Sequence, residues 1–188
     1  MKRFHQAVLI LSTVFASWFG MQAVHELGHV LGAWLTGGIV ERVVLHPLTI
    51  SRTDLGTNPQ PLLVVWAGPV FGVLLPQAAW GVWIVSRIPN SFLARFFAGF
   101  CLLVNGTYIG LGSFQEVGDC GEMLRHGSPI WLLWLFGLVA APAGLGLWHG
   151  QGSHFGLGLK HGCVSISAAY TSLAVGLALI ALGLVFSS

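Results

Sequence analysis

Glu26 is the only formally charged residue between Ala7 and Leu35, and this long uncharged run constrains the fold more than any other feature. Soluble domains carry about 25% charged residues. This 188-residue chain carries 7%, with 55% hydrophobic residues and a mean hydropathy of +0.80. Such a chain cannot cover itself with a water-compatible surface. In hydrocarbon every backbone polar group must be satisfied internally, which leaves helices as the spanning elements for runs of this length. The expectation is an all-α polytopic membrane protein embedded in the lipid bilayer.

The chain reads as one membrane domain, 1–188, with about five transmembrane helices. Residues 5–36 form the first span, longer than a ~30 Å core requires at ~1.5 Å per residue, and Gly37-Gly38 ends it. Further spans are expected over 62–87, 92–114, 129–148 and 164–186. Lys2 and Arg3 before an apolar run resemble a signal peptide, but Met21-Gln22-Ala23 offers no A-x-A cleavage pattern, so the segment reads as a retained helix. Residues 39–60 are β-branched and partly alternating, from Ile39–His46 and Leu48–Thr53, and read as a small membrane-surface β-hairpin. Such strands can hold an extended peptide by β-augmentation. Gly99, Gly106, Gly110 and Gly112 thin the third span, the mark of a central helix that neighbours approach closely.

A net charge of +2 without a basic cluster excludes nucleic acid as a partner. Cys101, Cys120 and Cys163 lack CxxC spacing, so neither a disulfide framework nor a thiolate zinc site is indicated. With the N-terminus inside, Lys2, Arg3, Arg87, Arg95 and Lys160 fall on the cytoplasmic side and Arg42, Arg52 and Arg125 outside. Oligomeric state is not encoded in any readable feature.

The lone Glu26 lies inside His25-Glu26-Leu27-Gly28-His29. Histidines at i and i+4 share one helix face, one turn apart, where both imidazoles can bind one metal ion, and the Glu between them can reach a water on that metal. A charged group in a span costs several kcal/mol or more, so its presence calls for a function. Metal-assisted hydrolysis supplies one, with Glu26 as general base. A catalytic zinc takes three protein ligands and keeps the fourth position for water. The third ligand is expected within the acidic cluster 115–126, with Asp119 first because Gly118 and Gly121 flank it closely. Glu116, Cys120, Glu122 and His126 are open alternatives. Polar loops around Asp119 and Thr49–Asn58 are the expected path for water.

HELGH in the first span, followed by a β-like segment, resembles the site-2 protease family of intramembrane zinc metalloproteases. Ala67-Gly68-Pro69 is similar to that family's AGP element, and Asp119 stands where its third ligand, a membrane-helix Asp followed by Gly, is expected. The resemblance covers roughly residues 5–125. It implies Zn2+ as cofactor, a membrane-embedded or membrane-adjacent protein as substrate, and a bacterial-type inner membrane as location. The family's Asn-x-x-Pro-x-x-x-Leu-Asp-Gly pattern is absent around Asp119. Asn105 lies fourteen positions earlier, about 21 Å along an unbroken helix, and would serve as a substrate-side oxyanion donor only if the helix broke at its glycines. Well-known members carry the opposite orientation to the charge count above, which leaves orientation unassigned. Two rivals accompany this reading. One is a non-proteolytic metal-binding scaffold or chaperone on the same fold. The other is a metal transporter with His149, His154 and His161 as a capture loop.

Overall fold

A computed structural model describes residues 2–46, 51–158 and 164–186. Helix α1 spans Lys2–Leu35, strand β1 Val40–Val44, strand β2 Arg52–Leu55, α2 Pro61–Val85, α3 Ser91–Gly112, α4 Gly118–Arg125, α5 Ile130–Trp148 and α6 Ile166–Val185, with a short 3-10 helix at Gln151–Phe155. Five of the helices (all but α4) are long and apolar enough to cross a membrane. The chain is an integral, multi-pass membrane protein, mostly helical, with a small antiparallel sheet after its first helix. Pro47, Leu48, Thr49 and Ile50, which the hairpin reading includes, lie outside the described residues, as do Lys160, His161 and Cys163.

Apolar side chains cover the outward faces, with Leu11, Val82, Leu111 and Leu138 each more than 60% exposed. Polar ones turn inward: Gln22, His25, Glu26, His29 and Asn105 are all buried. This inversion is what lipid as solvent selects, since an exposed apolar surface costs nothing there and an unsatisfied polar group costs several kcal/mol.

Helix α1 packs between α2 and α6, and α3 packs between α2 and α5. The α3–α5 contact is lined by Gly99, Gly106 and Gly110 on one side and Gly137, Ala140 and Gly144 on the other, so the two backbones nearly touch. α1 ends in a Schellman turn: Gly37 takes φ +78°, and Gly38 N–H donates to Ala33 O at 2.7 Å. That turn aims the chain into β1. β1 and β2 pair antiparallel, with Val43 opposite Thr53 and Val44 opposite Arg52.

The segment after α3 forms a helix that its composition does not announce. The chain reverses over Ser113–Val117, with Glu116 at φ +53° and Gly118 at φ +57°, and α4 then folds back beneath the bundle. Cys120 and Met123 on α4 are fully buried and join Ile109, Val65 and Leu133 in one cluster. Cys120 Sγ–H also points to the carbonyls of Tyr108 and Ile109, at 3.4 and 3.6 Å. α4 is thereby fixed to α2, α3 and α5, and the first residues of α4 are held at the HELGH face of α1.

Candidate metal centre

His25 and His29 project from adjacent turns of α1, and their Nε2 atoms lie 3.1 Å apart. Asp119 Oδ2, carried by the first turn of α4, lies 2.8 Å from His25 Nε2 and 3.5 Å from His29 Nε2. Among the described residues these three form the one group of His, Cys, Asp and Glu with ligand atoms gathered closely enough to hold a metal ion. Tetrahedral zinc with bonds of 2.0–2.2 Å separates its ligand atoms by about 3.3 Å. The observed triangle is close to that.

The outer nitrogens are accounted for. Asn105 Nδ2 donates to Cys101 O at 2.9 Å, which leaves its Oδ1 to accept from His25 Nδ1–H at 2.7 Å. His29 Nδ1–H donates to Val64 O at 2.9 Å. With both Nδ1 protons so placed, each neutral imidazole turns an Nε2 lone pair toward the other and toward a carboxylate. Three acceptors this close need either extra protons or a cation between them. Burial pushes the Asp119 carboxyl up, but its contacts with the His25 and His29 rings outweigh burial and hold it well below the usual carboxylate range. Asp119 is therefore ionised in either case. The donor set, two imidazoles and a carboxylate, fits a borderline-soft divalent ion such as zinc.

α2 is shaped to this group. A Cβ on Gly68 would lie 2.4 Å from His29 Nε2 and 2.9 Å from His25 Nε2, so only a glycine leaves the imidazoles and an ion their space. Asp119 is set by its backbone, whose N–H donates to Tyr108 Oη at 3.0 Å.

Glu26 is buried at 6% exposure, and Thr53 Oγ1–H of β2 donates to its Oε2 at 2.7 Å. The group opens into a cavity of about 590 Å³ lined by α1, the hairpin, α2, α3 and α4, including Thr53, Asn58, Tyr108 and His126. Polar groups from the 51–58 and 118–126 segments thus stand at the cavity, where a water path needs them.

The remaining ligand candidates stand outside the three-ligand group, although Glu122 and His126 line the cavity. Cys120 faces the α3 backbone, Glu122 pairs with Arg125 and His126, and Glu116 sits exposed in the reversal. Asn105 reaches the site without the helix break expected from its spacing: α3 is unbroken through Gly99, Gly106 and Gly110, and Asn105 meets His25 through Oδ1 and Cys101 O through one Nδ2 proton. It orients the His25 imidazole, and it also lines the cavity. Of the capture-loop histidines, His154 stacks on Phe92 and the His149 backbone carbonyl accepts from Arg95, while His161 lies outside the described residues. The roles of Thr53, Tyr108 and the Val64 carbonyl at the site are not legible in the sequence, since only tertiary register brings them there.

A five-span bundle with two histidines and a carboxylate converging beside a buried glutamate defines a polytopic membrane protein of metallohydrolase type. The family model described as Peptidase M50B-like matches residues 5–112, which include HELGH, the hairpin, Gly68 and Asn105. The chain belongs to that family, whose members are metallopeptidases, and so to the site-2 protease group that HELGH resembles. The match ends before Asp119. Neither the curated proteins nor the solved structures contain a match.

Proposed function

We propose that this chain is an intramembrane zinc metalloprotease that hydrolyses a peptide bond of a membrane-embedded or membrane-adjacent protein. The observation that carries the reading is the convergence of His25 Nε2, His29 Nε2 and Asp119 Oδ2 within 3.5 Å, next to Glu26. Zinc bound there would supply Lewis acidity and lower the pKa of a bound water toward ~7.

The chain's own residues do the rest. Glu26 accepts the proton of the attacking water and returns it to the departing amine, the general acid–base role worth about 10²–10⁴ in rate. Asn105 and the Val64 carbonyl fix the ring orientation of the two histidines through their Nδ1 protons. The apolar cavity wall accepts side chains of a membrane segment, and its few polar groups admit water.

The test is cleavage of casein by the zinc-loaded protein in detergent, beside Glu26→Gln. Cleavage by wild type that is lost in Glu26→Gln and on chelation supports the proposal. Cleavage undiminished in Glu26→Gln contradicts it. Zinc bound without any hydrolysis favours the non-proteolytic scaffold, a reading encouraged by the departure from the family's aspartate pattern.

A further inference from the structure

We infer that Thr53 is a positioning residue for Glu26, delivered to it by a strand latched along α1 in matched register. The inference rests on the metalloprotease reading for the role of Glu26.

Two polar contacts join the hairpin segment to α1. Ser51, the residue before β2, donates from its N–H (3.1 Å) and its Oγ–H (2.8 Å) to Gln22 Oε1. Two residues on, Thr53 Oγ1–H donates to Glu26 Oε2 at 2.7 Å, with the Glu26 carbonyl oxygen 3.5 Å from the same hydroxyl. Residues four apart on a helix are separated by about 6 Å along its axis. Residues two apart on a strand point to the same side and are separated by about 6.6 Å. The two repeats match, so Gln22 and Glu26 meet Ser51 and Thr53 rung for rung.

The bonds are sheltered. Ser51, Gln22 and Glu26 are each 8% exposed or less, and Thr53 is held in register by its antiparallel pairing with Val43 of β1. A hydrogen bond from a hydroxyl to a carboxylate is roughly twice as strong as a neutral one, and shielding preserves it. A free glutamate has three side-chain torsions to sample. With Oε2 tied to Thr53, those torsions are fixed and Oε1 is left for proton transfer. Gln22 and Ser51 hold the strand at the height where this happens. A general base displaced by about 1 Å loses on the order of 10² in rate, so the bond bears directly on turnover.

The experiment compares zinc-loaded, full-length wild type with Thr53→Val, Thr53→Ser and Glu26→Gln. It reads zinc stoichiometry, thermal midpoint, affinity for acetohydroxamate, and kcat and KM on casein. Acetohydroxamate chelates zinc and hydrogen-bonds the neighbouring carboxylate, so it senses Glu26 without turnover. The expected result is zinc retained in all four proteins. Thr53→Val then binds acetohydroxamate about tenfold more weakly and loses about 10–100-fold in kcat, with KM within about twofold. Thr53→Ser, which keeps the hydroxyl, stays within about threefold of wild type on both counts. Wild-type hydroxamate affinity in zinc-replete Thr53→Val overturns the positioning role, and so does a Thr53→Ser protein as impaired as Thr53→Val. Should Thr53→Val fail to fold, Thr53→Ala is judged by the same criteria. Wild type that binds no zinc overturns the metalloprotease reading and this inference with it, whereas zinc-bound wild type with an indifferent Thr53→Val overturns the inference alone.

Discussion

Gly68 of α2 lies so close to His29 that an added Cβ would stand 2.4 Å from its Nε2. The contact is reciprocal along the helix pair, because a Cβ on Gly28 would stand 2.5 Å from Ala67 O. Two glycines therefore let α1 and α2 approach closely enough to enclose the histidines, and this gives Ala67-Gly68-Pro69 a physical role. Replacing Gly68 with Ala should displace both imidazoles. Zinc stoichiometry is expected to fall well below that of wild type, measured by elemental analysis of purified protein; full zinc content in Gly68→Ala would refute the close fit.

Asn105 fixes His25 through its Nδ1 proton. Partners of this kind are typically worth about 10–100-fold in metal affinity. Asn105→Leu should weaken zinc binding by that amount in competition with a chelator. Asn105→Asp, which keeps an acceptor at the same reach, should recover part of the loss.

Tyr108 Oη accepts the Asp119 N–H and holds the start of α4 against α3. Tyr108→Phe removes this acceptor and should cost about 1 kcal/mol of stability, seen as a lowered thermal midpoint. Because Asp119 is placed by the same bond, a severalfold loss of zinc affinity should accompany it.

The α3–α5 interface tests the fold without reference to the site. A Cβ on Gly144 would lie 2.6 Å from Gly99 O and 2.7 Å from Leu103 N, both rigid backbone atoms. Gly144→Val should destabilise the detergent-solubilised protein by about 1–3 kcal/mol or more through overpacking. Gly146→Val, on the opposite face of α5 with nothing within 4 Å, should leave the thermal midpoint nearly unchanged.

Legibility in the sequence followed the range of the interaction. The five spans were readable because lipid imposes composition over some twenty residues at a time. His25, Glu26 and His29 were readable because helix periodicity alone puts them on neighbouring turns and a lone charge in a span is costly. Asp119 is one of five candidate residues of types that a zinc site accepts, and what separates it from the other four is the reversal over 113–118, whose positive φ angles at Glu116 and Gly118 no periodicity foretells. The helical character of 118–125 escaped because a single amphipathic turn or two between glycines resembles a loop. The contact of Asn105 with His25 is hidden for a related reason: distance along α3 says nothing about which face meets α1. The meeting of Thr53 with Glu26 is not legible, since it depends on how a strand of four residues registers against a helix.

The most direct measurement is the zinc content of purified protein for wild type, Asp119→Ala and Glu26→Gln. The three-ligand site predicts about one zinc per chain in wild type and in Glu26→Gln, and a sharp fall in Asp119→Ala. Zinc undiminished in Asp119→Ala, or absent from wild type after supplementation, would contradict it.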